Sequence, residues 1–521
     1  MPMILSVHLC FSVSAGARSR AKTLLMLWLS SLVAMAHVGS PNVFYEGEAG
    51  PYPVRVIIRP PGVVPGLAEI HVRILAGEAG QVSVLPVHWE VGTKGAPPAD
   101  QAKLVSGETN LFSAELWLMD FGAYSVFVNV EGAKGRGTAV VPLNSVATQR
   151  LTMSRWFGSG LLGAGILLFL LLLTIVGAAV RESVLAPGLE PDRRRRWRAI
   201  VMMAGACVCL TLALAVLGRW WNRVDARFQR RLYQSVEVKT AIRAEGNTRA
   251  LQLTLEPSKW TRHDATTLVP DHGKLIHLFL MREPDLDSFA HLHPVRIDSS
   301  KFETPLPPIP AGLYNVYADV THESGFTQTL ISRVTIPEST ANSEAALTTE
   351  LRSDPDDSWH VGTRYGSPSR ESSLSERTVR YALDRAHIMA WEREQPLVEN
   401  RETMLRFVVT GPNGGVASLE SYMGMAGHAI IRHQDGSVFT HLHPRGSISM
   451  ASQQRFLARE EGRVSSDPAW DFDDKFCGRD PNALSFPYAF PRAGSYRIWV
   501  QMKVNGKVMT GVFDAEVEST K

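Results

Sequence analysis

Two apolar runs constrain this chain more than any other feature. Trp156–Val180 contains LLGAGILLFLLLLTIVGAAV, and Ala199–Gly218 contains AIVMMAGACVCLTLALAVLG. Each, coiled as a helix, spans the roughly 30 Å hydrocarbon core of a bilayer, where a helix satisfies its own backbone polar groups. Transmembrane helices are therefore predicted at 156–180 and 199–218, joined by a loop at 181–198. That loop, RESVLAPGLEPDRRRRWR, carries six arginines, and the positive-inside rule makes it cytoplasmic. Arg219, Arg223, Arg227, Arg230 and Arg231 pull the other way.

The leader decides between them. Arg18, Arg20 and Lys22 precede TLLMLWLSSLVAMA, a short apolar run ending in Ala34-Met35-Ala36. This has the form of a secretory signal with a small-x-small cleavage site. Residues 1–36 are expected to be a signal peptide, which exports 37–150 and everything after Trp220. The large domains then lie on the extracytoplasmic side of a bacterial inner (cytoplasmic) membrane. No cysteine follows the cleavage site, so no lipoprotein anchor is expected.

Between the leader and the first span, YPVRVIIRPP, AEIHVRILAG and AYSVFVNVEG alternate apolar and polar residues with the period of a strand and are punctuated by Gly and Pro. Similar runs recur from Val236 to Pro337 and from Val379 to Val517. All three units close on a Gly-x-Tyr strand, at Gly122, Gly312 and Gly494. The predicted fold class is mainly β: three immunoglobulin-like β-sandwich domains at 37–150, 232–337 and 379–521, plus the two transmembrane helices and the signal peptide. Residues 338–378, polar and poor in aromatics, read as a mobile linker.

A net charge of +3 on 54 basic and 51 acidic residues is close to balance, and the arginines cluster beside the spans, so no nucleic-acid surface is expected. The four cysteines stand at 10, 207, 209 and 477. Only Cys477 falls in a soluble domain, which excludes a disulfide framework. Cys207 and Cys209 read as small polarizable residues of a membrane helix rather than as a redox pair.

FAHLHP at Phe289–Pro294 is echoed by FTHLHP at Phe439–Pro444. LVPDHGKLIH (268–277) also aligns without a gap on LESYMGMAGH (419–428), so the second and third domains read as an internal repeat. Histidines at i and i+2 of a strand share one face. Asp435-Gly436 is a hairpin turn signal, and counting outward from it sets His428 across from His443 with His441 alongside. The same count sets His277 across from His293 with His291 alongside. Facing Cβ atoms lie about 5 Å apart, so each hairpin is predicted to carry one metal site.

Further donors lie near each trio: His272 in DHGK, and Met423 and Met425 in MGMAG. Imidazole with thioether favours a copper ion, with zinc as the alternative. His37, first after the cleavage site, offers an amine and a ring nitrogen to copper(II), with His71 or His88 to complete the site. The competing reading is structural. Histidines at strand ends often only bond a backbone carbonyl, and a duplication copies such clamps as faithfully as ligands. The chain would then be a non-metal interaction or scaffold protein of a membrane complex. No GxSxG, HExxH or phosphate loop occurs, and HxH lacks the βα alternation of an amidohydrolase, so no enzyme is expected.

With AHVGSPNVFYEGEAGPYPVRV after the leader and YMGMAGHAIIRHQDGSVFTHLHP near the end, the chain resembles an uncharacterised group of bacterial membrane-anchored proteins with repeated HLHP hairpins. Its separate domains resemble the small exported sandwiches of the YtkA-like and FixH-like type, and the N-terminal His37 is similar to that of CopC-type copper carriers. The resemblance implies an extracytoplasmic association with copper or another heavy metal, for handling, delivery or resistance. The implied partners are the lipid bilayer and another metal-handling membrane protein.

Overall fold

The computed structural model describes residues 42–186, 188–230, 232–233, 238–245, 248–255, 267–338, 353–364, 378–393, 396–462 and 481–520. The expected signal peptide, His37 and Cys477 lie outside the described residues.

Alternation along each strand dictates pairs of antiparallel sheets. In Gly66–Ile74 the residues Ala68, Ile70, Val72 and Ile74 turn inward while Leu67 and Glu69 face out. They join Val54, Val56, Val126 and Val128 in one apolar cluster between a five-stranded and a four-stranded sheet. The second unit sets a sheet built on Lys239–Glu245 and Thr248–Thr254 against one centred on His277–Arg282 and Gly312–His322. The third sets Thr403–Thr410 and its neighbours against a sheet ordered Phe439–Leu442, His428–His433, Gly494–Val504, Lys507–Val517. The described chain is thus mainly β, in several antiparallel sheets.

Helix α1 (Arg155–Glu182) and helix α2 (Arg193–Gln229) are long and apolar enough to cross a membrane. Their apolar side chains have almost no protein around them, with Leu168 and Leu212 both more than 60% exposed. Each starts on a capped turn, Ser154 accepting from Phe157 N–H and Asp192 from Arg195 N–H. At their contact Gly177 faces the Met203 side chain, and a Cβ there would stand 2.5 Å from Met203 Sδ, so a larger residue would push that flexible side chain aside. Both helices outrun the apolar stretches. Arg193–Arg198 form the first turns of α2, and the basic residues from Arg219 to Arg227 continue it, with Arg150 paired to Asp225 at 2.9 Å. The connection expected over 181–198 is correspondingly shorter.

Two elements differ from the expectation. Within the stretch read as a mobile linker, Ser358–Val361 is a strand, paired with Ser288–Leu292 in the register His291↔Ser358. Four residues are too few for a periodic signal, and the partner edge supplies the order. Within the third unit, helix α3 (Met450–Glu460) interrupts the β pattern. Gln453 Nε2 donates to Val140 O at 2.6 Å, Ser452 Oγ donates to Gly325 O at 2.6 Å, and Phe456 packs on Ala123, Val140 and Phe326. The helix is defined by what it bolts together, which is all three units.

The second and third units meet face to face through the sheets that carry the HLHP hairpins. Leu278 and Leu280 enter the core of their own sandwich, while Phe279 and Met281 point the other way, into a cluster with Phe289, Tyr317, Ile430, Phe439 and Trp499. Ala429 and Ile431 are likewise inward and Ile430 outward. Both hairpins are therefore buried on both faces. Tyr317 stacks on Phe439 with centroids 4.2 Å apart, and Phe289 on Trp499 at 5.1 Å. Because Phe279 pairs with Tyr317 in one sheet and Ile430 with Trp499 in the other, the two stacks answer each other across an approximate two-fold. Arg432, fully buried, pairs with Glu283 and donates to Tyr317 Oη at 3.2 Å.

Candidate metal centre

The hairpin registers are those expected. Leu278 faces Leu292 and Ala429 faces Leu442, which brings His277 opposite His293 and His428 opposite His443. Ring-nitrogen atoms of His277, His291 and His293 lie within 4.8 Å of one another, as do those of His428, His441 and His443. These two groups could each hold a metal ion.

What differs is their separation. The histidines lie on the outer faces of the two sheets, where those faces meet, so the two predicted sites form one assembly. Within the trios ring centroids stand 4.5–5.5 Å apart. Between trios, His277 is 5.4 Å and His291 5.7 Å from His441, and His291 is 6.2 Å from His428. No protein layer divides them.

His272 crosses over. Asp271–Lys274 is a tight turn whose central residues both have positive φ, 51° at His272 and 77° at Gly273, closed by reciprocal backbone bonds of 2.9 Å. This throws the His272 ring 4.7 Å from that of His443 and 6.0 Å from that of His428, against the other unit's trio. Tyr422–Met425 repeats the turn, with φ of 50° at Met423 and 75° at Gly424. Met423 thus holds the position of His272 and is buried. Met425 packs with Tyr45, Ile448 and Met450 in the core of the first unit, which gives this expected donor a packing role.

Oxygen atoms orient the rings. Nδ1 of His293 is 3.0 Å from Asp357 Oδ1, Nδ1 of His291 is 2.9 Å from Gln501 Oε1, and Nδ1 of His443 is 3.3 Å from Ile448 O. Nδ1 of His441 faces Asp319 Oδ2 at 3.5 Å. A proton held on Nδ1 by an oxygen leaves Nε2 with its lone pair. In His277 the sense is reversed: Nε2 is 3.0 Å from Asp271 O, and Nδ1 is turned to His291 Nε2 at 3.3 Å. Among the described residues, Nε2 of His293, His441 and His443 and both ring nitrogens of His428 are buried without a hydrogen-bond partner. Leaving a buried polar atom so costs about 1–3 kcal/mol.

Six of the seven histidines are buried, and the His441 side chain is 7% exposed. Burial, reinforced by the neighbouring imidazoles, pushes His272 and His443 down to about 3 and carries His291, His293, His428 and His441 well below the usual histidine value. The rings are neutral. Burial pushes the Asp319 and Asp357 carboxyls up to about 7. Lys274 Nζ holds Asp354 at 2.6 Å and Asp356 at 3.2 Å, so the further cluster of His293, Asp354 and Asp357 already contains an ion pair. Beside the rings a cavity of about 250 Å³ is lined by His277, His441, His443, Asp319, Thr321 and Ser449.

Asp319, Asp357 and Gln501 escaped the sequence reading. A signal existed for two of them: Asp319 in YADVTH and Gln501 in WVQMKV are polar residues inside otherwise apolar closing strands, facing His277 and His428 respectively. In the first unit, His71 lies 3.8 Å from Glu69, while His88, on the other sheet, has Nε2 3.2 Å from Phe121 O.

Residues 384–519 match the family described as Domain of unknown function (DUF8832). No curated protein matches the chain. Among solved structures, dimeric latent PorU from Porphyromonas gingivalis is 7% identical, over 88% of this chain and 32% of that one, with a TM-score of 0.13. A tetra-tandem repeat in the extending region of a large adhesion protein is 8% identical, over 88% of this chain and 97% of that one, with a TM-score of 0.14. The chain spans about a third of the PorU chain, and at these scores neither likeness bears on the site.

Proposed function

We propose that this chain is a membrane-anchored copper-binding protein whose β units stand on the extracytoplasmic side of a bacterial inner membrane. Its second and third units are a duplicated immunoglobulin-like pair, and the HLHP hairpins are its ligand-bearing elements. One observation carries the reading: in His293, His441 and His443 one nitrogen faces an oxygen and the other is buried with nothing to bond. Metal-ligating histidines are held in this way, their second nitrogen donating to a carboxylate, amide or carbonyl that fixes tautomer and orientation. A histidine serving as a hairpin clamp would satisfy its nitrogens within the protein.

Three neutral imidazoles suit copper and zinc alike, and the thioether of Met423, buried at the position that matches His272, is the soft donor that favours copper. The role is binding for handling, delivery or resistance rather than catalysis, with another metal-handling membrane protein as the exchange partner. The lipid-exposed character of α1 and α2 supports the bilayer as anchor, and the leader supports export of the β units, with His37 as the mature N-terminus.

The test is metal uptake by the full chain in detergent, loaded with copper(I) under reducing conditions in the presence of competing zinc. Wild type retains copper, and His441→Ala with His443→Ala loses the share held by its own trio, about half. Equal retention by both would favour the clamp reading, and zinc displacing copper would change the metal.

A further inference from the structure

We infer that the two trios hold two copper ions at once in one chamber, near enough for a single small ligand to bridge them. This rests on the copper reading above and adds stoichiometry, geometry and a ligand class to it. Two independent sites would need protein between them. Instead, His441 lies 5.4 Å from His277 and 5.7 Å from His291 of the opposite trio, against 5.2 Å from His428 of its own, so the spacing between trios is little wider than that within one.

The lone pairs also divide in two. His293 Nε2 and His277 Nδ1, with His291 between them, belong to one hairpin, and the Nε2 atoms of His441 and His443, with His428, to the other. Three ligands each leave both ions short of the four or more that copper(II) accepts, and an oxygen shared between them fills a place on each. Pairs of metal ions that share a ligand stand about 3.5–4 Å apart, a spacing that trios interleaved at these distances allow.

Access agrees. Asp271, Lys274 and Asp319 line the adjoining cavity and Asp357 backs His293, while Lys274 pairs with Asp354 and Asp356. That cavity touches His277 from one trio and His441 and His443 from the other, so a small anion entering through it reaches both ions together. Hydroxide, formed from water with its proton released to the buffer, is the simplest bridging ligand of this class.

The experiment loads the full-length chain, otherwise wild type but with His37→Ala to remove the N-terminal copper(II) site, in detergent with copper(II) sulfate and compares bound copper with the integrated electron paramagnetic resonance signal. Two coppers per chain with a signal far below two spins are expected, because a single-atom bridge couples the two unpaired electrons. His291→Ala with His293→Ala should bind one copper and show one full spin, and so should His441→Ala with His443→Ala. One copper with both trios intact overturns the paired site while leaving the copper reading intact. No copper(II) overturns the paired site, and together with no copper(I) retained in the test above it overturns the copper reading as well. Two coppers with two full spins overturn the bridge, and this measurement on intact trios stands even if the trio variants fail to fold.

Discussion

Gln501 Oε1 lies 2.9 Å from Nδ1 of His291, across the boundary between the third unit and the second. In its own sheet Gln501 faces His428, as Asp319 faces His277 in the other, and Asp319 reaches back to Nδ1 of His441 at 3.5 Å. Each unit therefore orients a ring of its neighbour's trio.

Gln501→Leu removes the acceptor that keeps the His291 proton on Nδ1. Loss of such a partner typically costs about 10–100-fold in metal affinity. A competition titration against a chromophoric copper chelator should show a drop in that range, with Gln501→Glu close to wild type. An unchanged affinity in the leucine variant would detach Gln501 from the site.

Trp499→Ala deletes the ring stacked on Phe289 at the joint between the units. Truncating a buried aromatic costs about 3–5 kcal/mol. Chemical denaturation should show a loss of this size, and copper affinity should fall with it, because the interface that Trp499 fills is also what holds the trios together. Destabilisation with full copper affinity would mean that the trios bind independently of the joint.

Acid should destabilise the metal-free chain. The buried histidines titrate far below the free value of about 6.5, so between that value and the folded one, about 3 for His272 and His443, the unfolded chain binds the extra protons. Stability from these groups is complete above the unfolded value and falls as pH drops below it, by about 1.4 kcal/mol per pH unit for each histidine. Asp319 and Asp357, raised to about 7, act in the opposite sense and offset part of the loss. The denaturation midpoint should therefore fall from pH 7.5 to pH 5, and a level midpoint would contradict the burial of the rings.

Topology and processing are tested together. A reporter fused near Ser367 should be active only if it is of the kind that works on the exported side. Mass spectrometry should find His37 as the first residue, and His37→Ala should remove one copper(II) equivalent from the titration. A cytoplasmic signal at Ser367 would overturn the sidedness, and an intact leader would remove the N-terminal site.

The sequence by itself determined whatever is local. A strand's period of two fixes which histidines share a face, and Asp435-Gly436 fixes the count that sets His428 against His443, so both trios could be read before any fold was known. Bilayer-length apolar runs define α1 and α2 in the same way, since composition alone decides whether a helix is at home in lipid. Tertiary structure decided what the second face of each hairpin meets. Nothing in the alternation of Leu278, Phe279 and Leu280 tells that Phe279 will be covered by another unit rather than by water, because periodicity reports that a face is apolar and not what buries it. From that docking come the merging of two trios into one centre, the crossing of His272, the reciprocal hold of Gln501 and Asp319, the strand Ser358–Val361 ordered by its partner's edge, and the removal of Met425 to a neighbouring core. Each depends on contacts between residues far apart in the chain, and it is the packing of whole sheets that brings those residues together.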